Sequence, residues 1–119
     1  MNIKTVNITF RVSNLSEAVD FYEIVLGLQK KSQWPTYVVF DLRGVMLGLE
    51  PGGERGLKKG VPDIYLEVDN LDDLCRQLRT KGVKFLGEPE DQNWGARTAK
   101  FVDPDGNAFV LLQLKKHAT

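Results

Sequence analysis

The alternation of apolar and polar residues occurs twice along the chain. Residues 7–15 read NITFRVSNL, and residues 63–71, which lie 56 positions later, read DIYLEVDNL. In both runs apolar and polar residues alternate with period two, which is typical of a strand with one buried face. The repeat therefore predicts two equivalent strands. Their apolar positions are Ile8, Phe10 and Val12 in the first run and Ile64, Leu66 and Val68 in the second.

Each predicted strand leads into an amphipathic helix. In the first half the apolar stripe ends at Gly27, and Asn14 or Ser16 can cap the start of the helix. In the second half the stripe ends at Gly82, and two aspartates near its start favour the positive end of the helix dipole. The stripes consist of Leu15, Ala18, Val19, Tyr22, Val25 and Leu26 and of Leu71, Leu74, Cys75 and Leu78.

Three short β-rich runs follow each helix, so both halves predict a βαβββ module. Turns rich in Asp and Gly, at residues 41–44 and 103–106, separate the last two runs of each half. The predicted fold class is α+β, with one domain built from module 1 at residues 1–50, a linker at 51–62 and module 2 at 63–119. The second module is six residues longer, and we expect its residues 86–97 to form a mobile access loop.

Composition narrows the classes of function. The 119 residues include 16 Lys and Arg, 16 Asp and Glu, and one Cys. A balanced charge argues against a nucleic-acid partner, and no apolar run approaches the roughly 20 residues of a membrane span. One thiol cannot form an internal disulfide, and no secretory signal is evident, so we expect a cytoplasmic protein.

Two residues that often carry chemistry are given structural interpretations. His117 is the only histidine, and we expect it to be a solvated residue of the tail. Cys75 lies on the apolar stripe of the second helix, where a buried structural thiol is favoured over a nucleophile. With a single histidine so placed, a hydrolase of the Ser-His type is excluded.

The order of these motifs resembles the vicinal oxygen chelate superfamily. The resemblance covers essentially the whole chain and rests on the repeat, on Phe21-Tyr22 leading to Leu26-Gly27-Leu28, and on Trp94-Gly95 leading to the turn at 103–107. That superfamily contains glyoxalase I, the bleomycin-resistance proteins, the fosfomycin-resistance enzymes and the extradiol dioxygenases. The resemblance implies a cupped mixed sheet made by the two modules, with helices outside. It also implies a homodimer with its site in the cup.

In metal-using members of that superfamily, the ligands come from the first and last strands of each module. The matching positions here are Asn7 and Gly48 in the first module and Asp63 and Val110 in the second. A divalent ion needs three or four lone-pair donors. Gly48 and Val110 have no side-chain donor, and only Asp63 is a good ligand. We therefore expect no metal and no other cofactor.

Strand alternation predicts which side chains share a face with those four positions. Two tryptophans, expected in loops at the mouths of the modules, suit stacking on a planar ligand; covering the core or a dimer contact is the alternative. The charges on this face need partners, and an internal salt bridge between Arg11 and Glu67 is one interpretation. The predicted ligand-binding residues are Asn7, Thr9, Arg11, Trp34, Met46, Glu50, Asp63, Tyr65, Glu67, Trp94, Val110 and Leu112.

The leading hypothesis is a metal-independent protein that binds a small molecule, aromatic or antibiotic-like, as bleomycin-resistance proteins do. A role in antibiotic resistance would follow. The alternative is a divalent-metal-dependent lyase, isomerase or dioxygenase in which Asp63, Asn7, Glu50 and waters hold a loosely bound ion. A third possibility is metal-free acid and base chemistry by Asp63 or Glu67.

Overall fold

A computed structural model describes residues 1–115, which form two units with separate sheets. Contacts between residues divide the chain into the units Met1–Gly56 and Leu57–Thr119. Each unit combines helix with a mixed parallel and antiparallel sheet, so the predicted α+β class with two modules is confirmed. The prediction for His117 lies outside the described residues.

The first unit has a four-stranded sheet in the order β1-β4-β3-β2. Strand β1 runs parallel to β4, and the other neighbours are antiparallel. The helix packs on β4. The elements are β1 (Val6–Val12), α1 (Leu15–Asp20), a π-helical turn (Phe21–Val25), β2 (Gln29–Trp34), β3 (Tyr37–Leu42) and β4 (Val45–Pro51).

The second unit repeats this plan with one additional short strand. Its sheet has the order β5-β9-β8-β6, and β7 also pairs with β8. The helix packs on β8 and β9. The elements are β5 (Ile64–Glu67), α2 (Leu71–Thr80), β6 (Lys84–Phe85), β7 (Glu90–Asp91), β8 (Ala96–Val102) and β9 (Ala108–Leu114).

The register of the parallel pairs reproduces the sequence repeat. Thr9 of β1 lies opposite Gly48 of β4, and Tyr65 of β5 lies opposite Val110 of β9. Thr9 and Tyr65 are equivalent in the repeat, so their partners Gly48 and Val110 are equivalent as well. The alternation is also reproduced from residue 7 onward, because the polar positions of β1 and β5 are exposed while the apolar ones are buried or half-buried; Val6, at the start of β1, is exposed.

Three predicted segments differ in detail. The first helix is regular only to Asp20 and then widens into the π-helical turn, since the amide of Leu26 donates to the carbonyl of Phe21, five residues earlier. Trp34 was expected in a loop but is the last residue of β2. The segment 86–97 contains β7 and the first two residues of β8, so part of the expected loop is sheet.

The two helices begin with caps of different origin. Asn14 Oδ1 accepts a hydrogen bond from the backbone N–H of Glu17 at 3.0 Å, as predicted for α1. Helix α2 follows Asn70, whose φ is 52°, and its first N–H, that of Leu71, donates to Gln113 Oε1 at 2.8 Å. A side chain of β9 therefore caps α2, which joins the helix to the sheet that it covers.

Aspartate side chains close the last turn of each unit. Asp41 Oδ1 accepts from the N–H of Gly44 at 2.8 Å, and Gly44 has a φ of 96° that favours glycine. Asp103, only 3% exposed, accepts from the N–H groups of Asp105 and Asn107 through Oδ1 and from Asn107 Nδ2 through Oδ2, at 2.8–2.9 Å. The second turn is thus a buried polar network. Within residues 1–115, no helix is long and apolar enough to cross a membrane.

Candidate functional site

In the first unit, a tyrosine from β3 reaches the predicted polar face. Tyr37 Oη lies 2.8 Å from Thr9 Oγ1, and either hydroxyl can be the donor. Thr9 lies opposite Gly48 on the neighbouring strand. Tyr37 was not among the predicted site residues, because its hydroxyl approaches Thr9 from 28 positions away along the chain.

The hydroxyl of Tyr37 occupies the space above Gly48. A Cβ built on Gly48 would overlap the end of the Tyr37 side chain and would lie 3.0 Å from Thr9 Oγ1. Gly48 is buried and its φ is not positive, so close approach rather than backbone conformation explains the glycine. The position that the sequence resemblance matches to a metal ligand therefore lies directly beneath a tyrosine hydroxyl.

Two charged residues of this face pair within the first unit. Arg11 Nε lies 3.3 Å from Glu50 Oε1, and these residues are direct neighbours on β1 and β4. The Arg11 side chain is 73% exposed, so this ion pair is screened by solvent. The interpretation that pairs Arg11 with Glu67 stays a prediction.

Trp34 and Tyr37 form an aromatic pair at one end of the first sheet. They lie opposite each other across the turn between β2 and β3, with ring centroids 6.4 Å apart and an interplanar angle of 39°. Trp34 is 55% exposed. Of the other predicted residues of this unit, Asn7 is exposed and Met46 is buried at 8%.

In the second unit, a lysine from β8 neutralises the one good predicted metal ligand. Lys100 Nζ lies 3.2 Å from Asp63 Oδ1, and Lys100 pairs with Val110 in the sheet. Val110 is buried, and Leu112 further along β9 is half-buried. Tyr65, the neighbour of Val110 on β5, is exposed. The second unit thus presents an ion pair beside apolar surface.

Glu67 borders a cleft of about 470 Å³ at one end of the strands of the second sheet, where β5 and β9 finish and β8 begins. The cleft carries acidic, basic and amide groups beside the exposed side chain of Leu114. Its lining residues are Glu67, Val68, Asp69, Arg97, Gln113, Leu114 and Lys115.

Trp94 lies in a turn and Cys75 is buried on a helix, as the sequence predicted. Trp94 is 54% exposed in the turn between β7 and β8, where a loop was expected. Cys75 is buried on α2, and burial raises the pKa of its thiol. A raised thiol pKa lowers the thiolate fraction at neutral pH, which agrees with a structural cysteine.

An ion-pair network ties the segment 86–97 to its neighbours. Arg97 contacts Asp72 of α2 and Asp91 of β7, each at 3.2 Å, and Arg79 of α2 contacts Glu88 at 2.8 Å. The Arg97 side chain is about two-thirds covered, which orients its guanidinium between the two carboxylates. The expected access loop is thus held at both ends in this structure.

This network predicts a pH-dependent contribution to stability. The hydrogen bond from Arg97 lowers the pKa of Asp91 below its ordinary value of 3.8. A depressed carboxyl pKa stabilises the folded state above the unfolded pKa, and this stabilisation is lost as the pH falls through the folded pKa. We therefore expect the stability difference between wild type and Arg97→Gln to be largest near neutral pH and to shrink below about pH 4. Urea unfolding at several pH values measures it, and a constant difference would contradict the assignment.

The donor groups of both units do not fit a tightly bound divalent metal. Among residues 1–115, no three His, Cys, Asp or Glu side chains come close enough together to hold an ion. Gly48 has no donor, and the space for one is filled by Tyr37. Asp63 already faces the ammonium of Lys100. The residues present therefore favour hydrogen bonding and ion pairing over chelation.

Comparison with known proteins identifies relatives of several kinds. The sequence model of the "Glyoxalase/Bleomycin resistance protein/Dioxygenase superfamily" matches residues 4–111. A probable lactoylglutathione lyase of Synechocystis is 30% identical, with 87% of this chain and 89% of that protein covered. The uncharacterised protein YetH of Bacillus subtilis is 35% identical over 57 residues, or 48% of this chain and 47% of that protein. Among solved structures, TnmS3, an antibiotic binding protein from Streptomyces sp. CB03234, is 30% identical. Its TM-score is 0.75, with 97% of this chain and 99% of that chain covered.

Proposed function

Because the chain belongs to the glyoxalase/bleomycin resistance protein/dioxygenase superfamily, we propose that it binds a small organic molecule without a metal. The observation that carries the proposal is the position of the Tyr37 hydroxyl above Gly48, where a metal ligand would have to project. The ion pair between Lys100 and Asp63 supports it from the second unit. The tyrosine fills the space that a donor at position 48 would need, and the Lys100 ammonium competes with a cation for the Asp63 carboxylate.

The exposed aromatic side chains favour a ligand with a flat apolar part. Trp34 and Trp94 are each more than half exposed, and Tyr37 extends the aromatic surface of Trp34. Flat rings stack on such side chains, and nearby polar groups then fix their orientation. The similarity to TnmS3, described as an antibiotic binding protein, supports an antibiotic-like compound as the ligand. The homodimer and the cytoplasmic location expected from the sequence stay predictions.

The second candidate is a metal-dependent lyase, favoured by the 30% identity to the probable lactoylglutathione lyase. It requires a bound divalent metal ion, for which Asp63 is the best ligand that the sequence offers. The two candidates therefore differ in a quantity that is measured directly, the metal content of the folded protein.

The test combines elemental analysis with a thermal-shift screen. After incubation with Zn²⁺ or Ni²⁺ and dialysis, we expect far less than one metal ion per chain, and the same low value for Asp63→Ala. In a screen of aromatic compounds and antibiotics, we expect at least one to raise the melting temperature of wild type but not that of Trp34→Ala or Trp94→Ala. Near-stoichiometric metal that is lost in Asp63→Ala would favour the lyase. A screen without any stabilising compound would contradict the binding function.

A further inference from the structure

Resting on the proposed function, we propose that Tyr37 determines which ligands the first unit accepts. Its ring lies beside that of Trp34, with centroids 6.4 Å apart and planes tilted by 39°, and a flat aromatic ligand stacks on the exposed Trp34. The Tyr37 hydroxyl, fixed by Thr9 above Gly48, forms a hydrogen bond with an oxygen on that ligand. The ligand class is a planar aromatic compound that carries a hydroxyl or carbonyl group.

The first support is the exposure of the aromatic pair. Trp34 ends β2 and Tyr37 begins β3, so a two-residue turn holds both rings at the same end of the sheet. Trp34 leaves 55% of its surface in solvent although it is paired with Tyr37. A flat ligand can cover this exposed aromatic surface. Removing the surface from water favours binding.

The second support is that the hydroxyls of Tyr37 and Thr9 can form further hydrogen bonds beyond the one between them. Only one hydrogen lies between Tyr37 Oη and Thr9 Oγ1, because one oxygen donates and the other accepts. The accepting hydroxyl keeps its own hydrogen, and both oxygens keep lone pairs. The pair can therefore donate to a carbonyl or accept from a hydroxyl, so a ligand oxygen of either kind is recognised.

The third support is Gly48, which makes this arrangement possible. Any side chain at this position would displace the end of the Tyr37 ring. The neighbouring Arg11 and Glu50 neutralise each other, so they do not impose a net charge on the ligand. Recognition beside the aromatic surface then depends on the hydroxyl pair.

The experiment uses two matched probes, 2-naphthol and naphthalene, which differ in one hydroxyl and carry no other oxygen. Binding to the full chain is measured by titration calorimetry. We expect wild type to prefer the hydroxylated probe by about fivefold, as one net hydrogen bond allows. Tyr37→Phe keeps the ring and loses the hydroxyl, so the preference should fall below about twofold while naphthalene still binds. Trp34→Ala should lower the binding affinity of both probes by a similar factor.

A matched control is Thr80→Val, which removes a hydroxyl that binds the carbonyl of Arg76 in the second unit. This variant should keep the full preference, whereas Thr9→Val should reduce it. Binding of both probes with an unchanged preference in Tyr37→Phe, or with no preference in wild type, would overturn the role of Tyr37 and leave the binding function intact. If neither probe binds wild type and the thermal-shift screen is also flat, the proposed function itself fails.

Discussion

Replacing Gly48 with alanine is expected to destabilise the wild type and to have the opposite effect once Tyr37 is removed. In wild type the added Cβ overlaps the Tyr37 side chain, and overpacking of this kind costs about 1–3 kcal/mol of the free energy of unfolding. In a Tyr37→Ala background the overlap with Tyr37 is absent, and the Thr9 hydroxyl, 3.0 Å from the new Cβ, has to move by only a few tenths of an ångström. Alanine in a strand interior is then favoured over glycine by about 0.5–1 kcal/mol, because glycine loses more backbone entropy on folding.

Urea unfolding of the four proteins in this double-mutant cycle measures the coupling between positions 37 and 48. Gly53→Ala provides a matched control, because its Cβ would overlap the backbone of Arg11 rather than a side chain. This substitution should destabilise both backgrounds equally. If Gly48→Ala costs the same with and without Tyr37, the tyrosine does not occupy the space above Gly48. The Tyr37 hydroxyl would then not be held above Gly48, where the proposed contact with a ligand oxygen needs it.

Replacing Asp103 with alanine is expected to lower the free energy of unfolding by about 3–5 kcal/mol. The carboxylate is 3% exposed and accepts hydrogen bonds from two backbone N–H groups and from the side chain of Asn107. Each buried donor that loses its acceptor costs about 1–3 kcal/mol. The turn between β8 and β9 positions Val110 and the strand that carries Gln113, so its loss should also loosen the cap of α2.

The equivalent turn of the first unit is the control for this prediction. Asp41 is half-buried and accepts one hydrogen bond, from Gly44, so Asp41→Ala should cost only about 0.5–1.5 kcal/mol. Urea unfolding followed by circular dichroism compares the two variants. Asn107→Ala replaces Asp103→Ala in this comparison if the latter does not fold. It removes the side-chain donor of Asn107 and should lower the free energy of unfolding by about 1–2 kcal/mol. If Asp41→Ala and Asp103→Ala lower the free energy of unfolding equally, burial of the second turn does not increase the stabilisation by its aspartate.

The sequence by itself determined the repeat, the order of the elements and the family. Period-two alternation and helical spacing are local properties, so they predicted both βαβββ modules, and the family model confirms the resemblance. The turn aspartates and Asn14 were predicted because each bonds a backbone group a few residues away. The lack of donors at Gly48 and Val110 could also be read directly, since it depends only on residue type.

Only the tertiary structure decided which groups fill the site. Tyr37 meets Thr9 across 28 positions, and Arg11 meets Glu50 across 39. Lys100 reaches Asp63 from a different strand, and Gln113 caps a helix from the sheet. The hydrophobic pattern assigns a residue to a face, but it does not specify which strands become neighbours or in what register they pair. The partners of the charged and hydroxyl groups follow from that register, and so does the close approach of Tyr37 that explains the glycine at position 48.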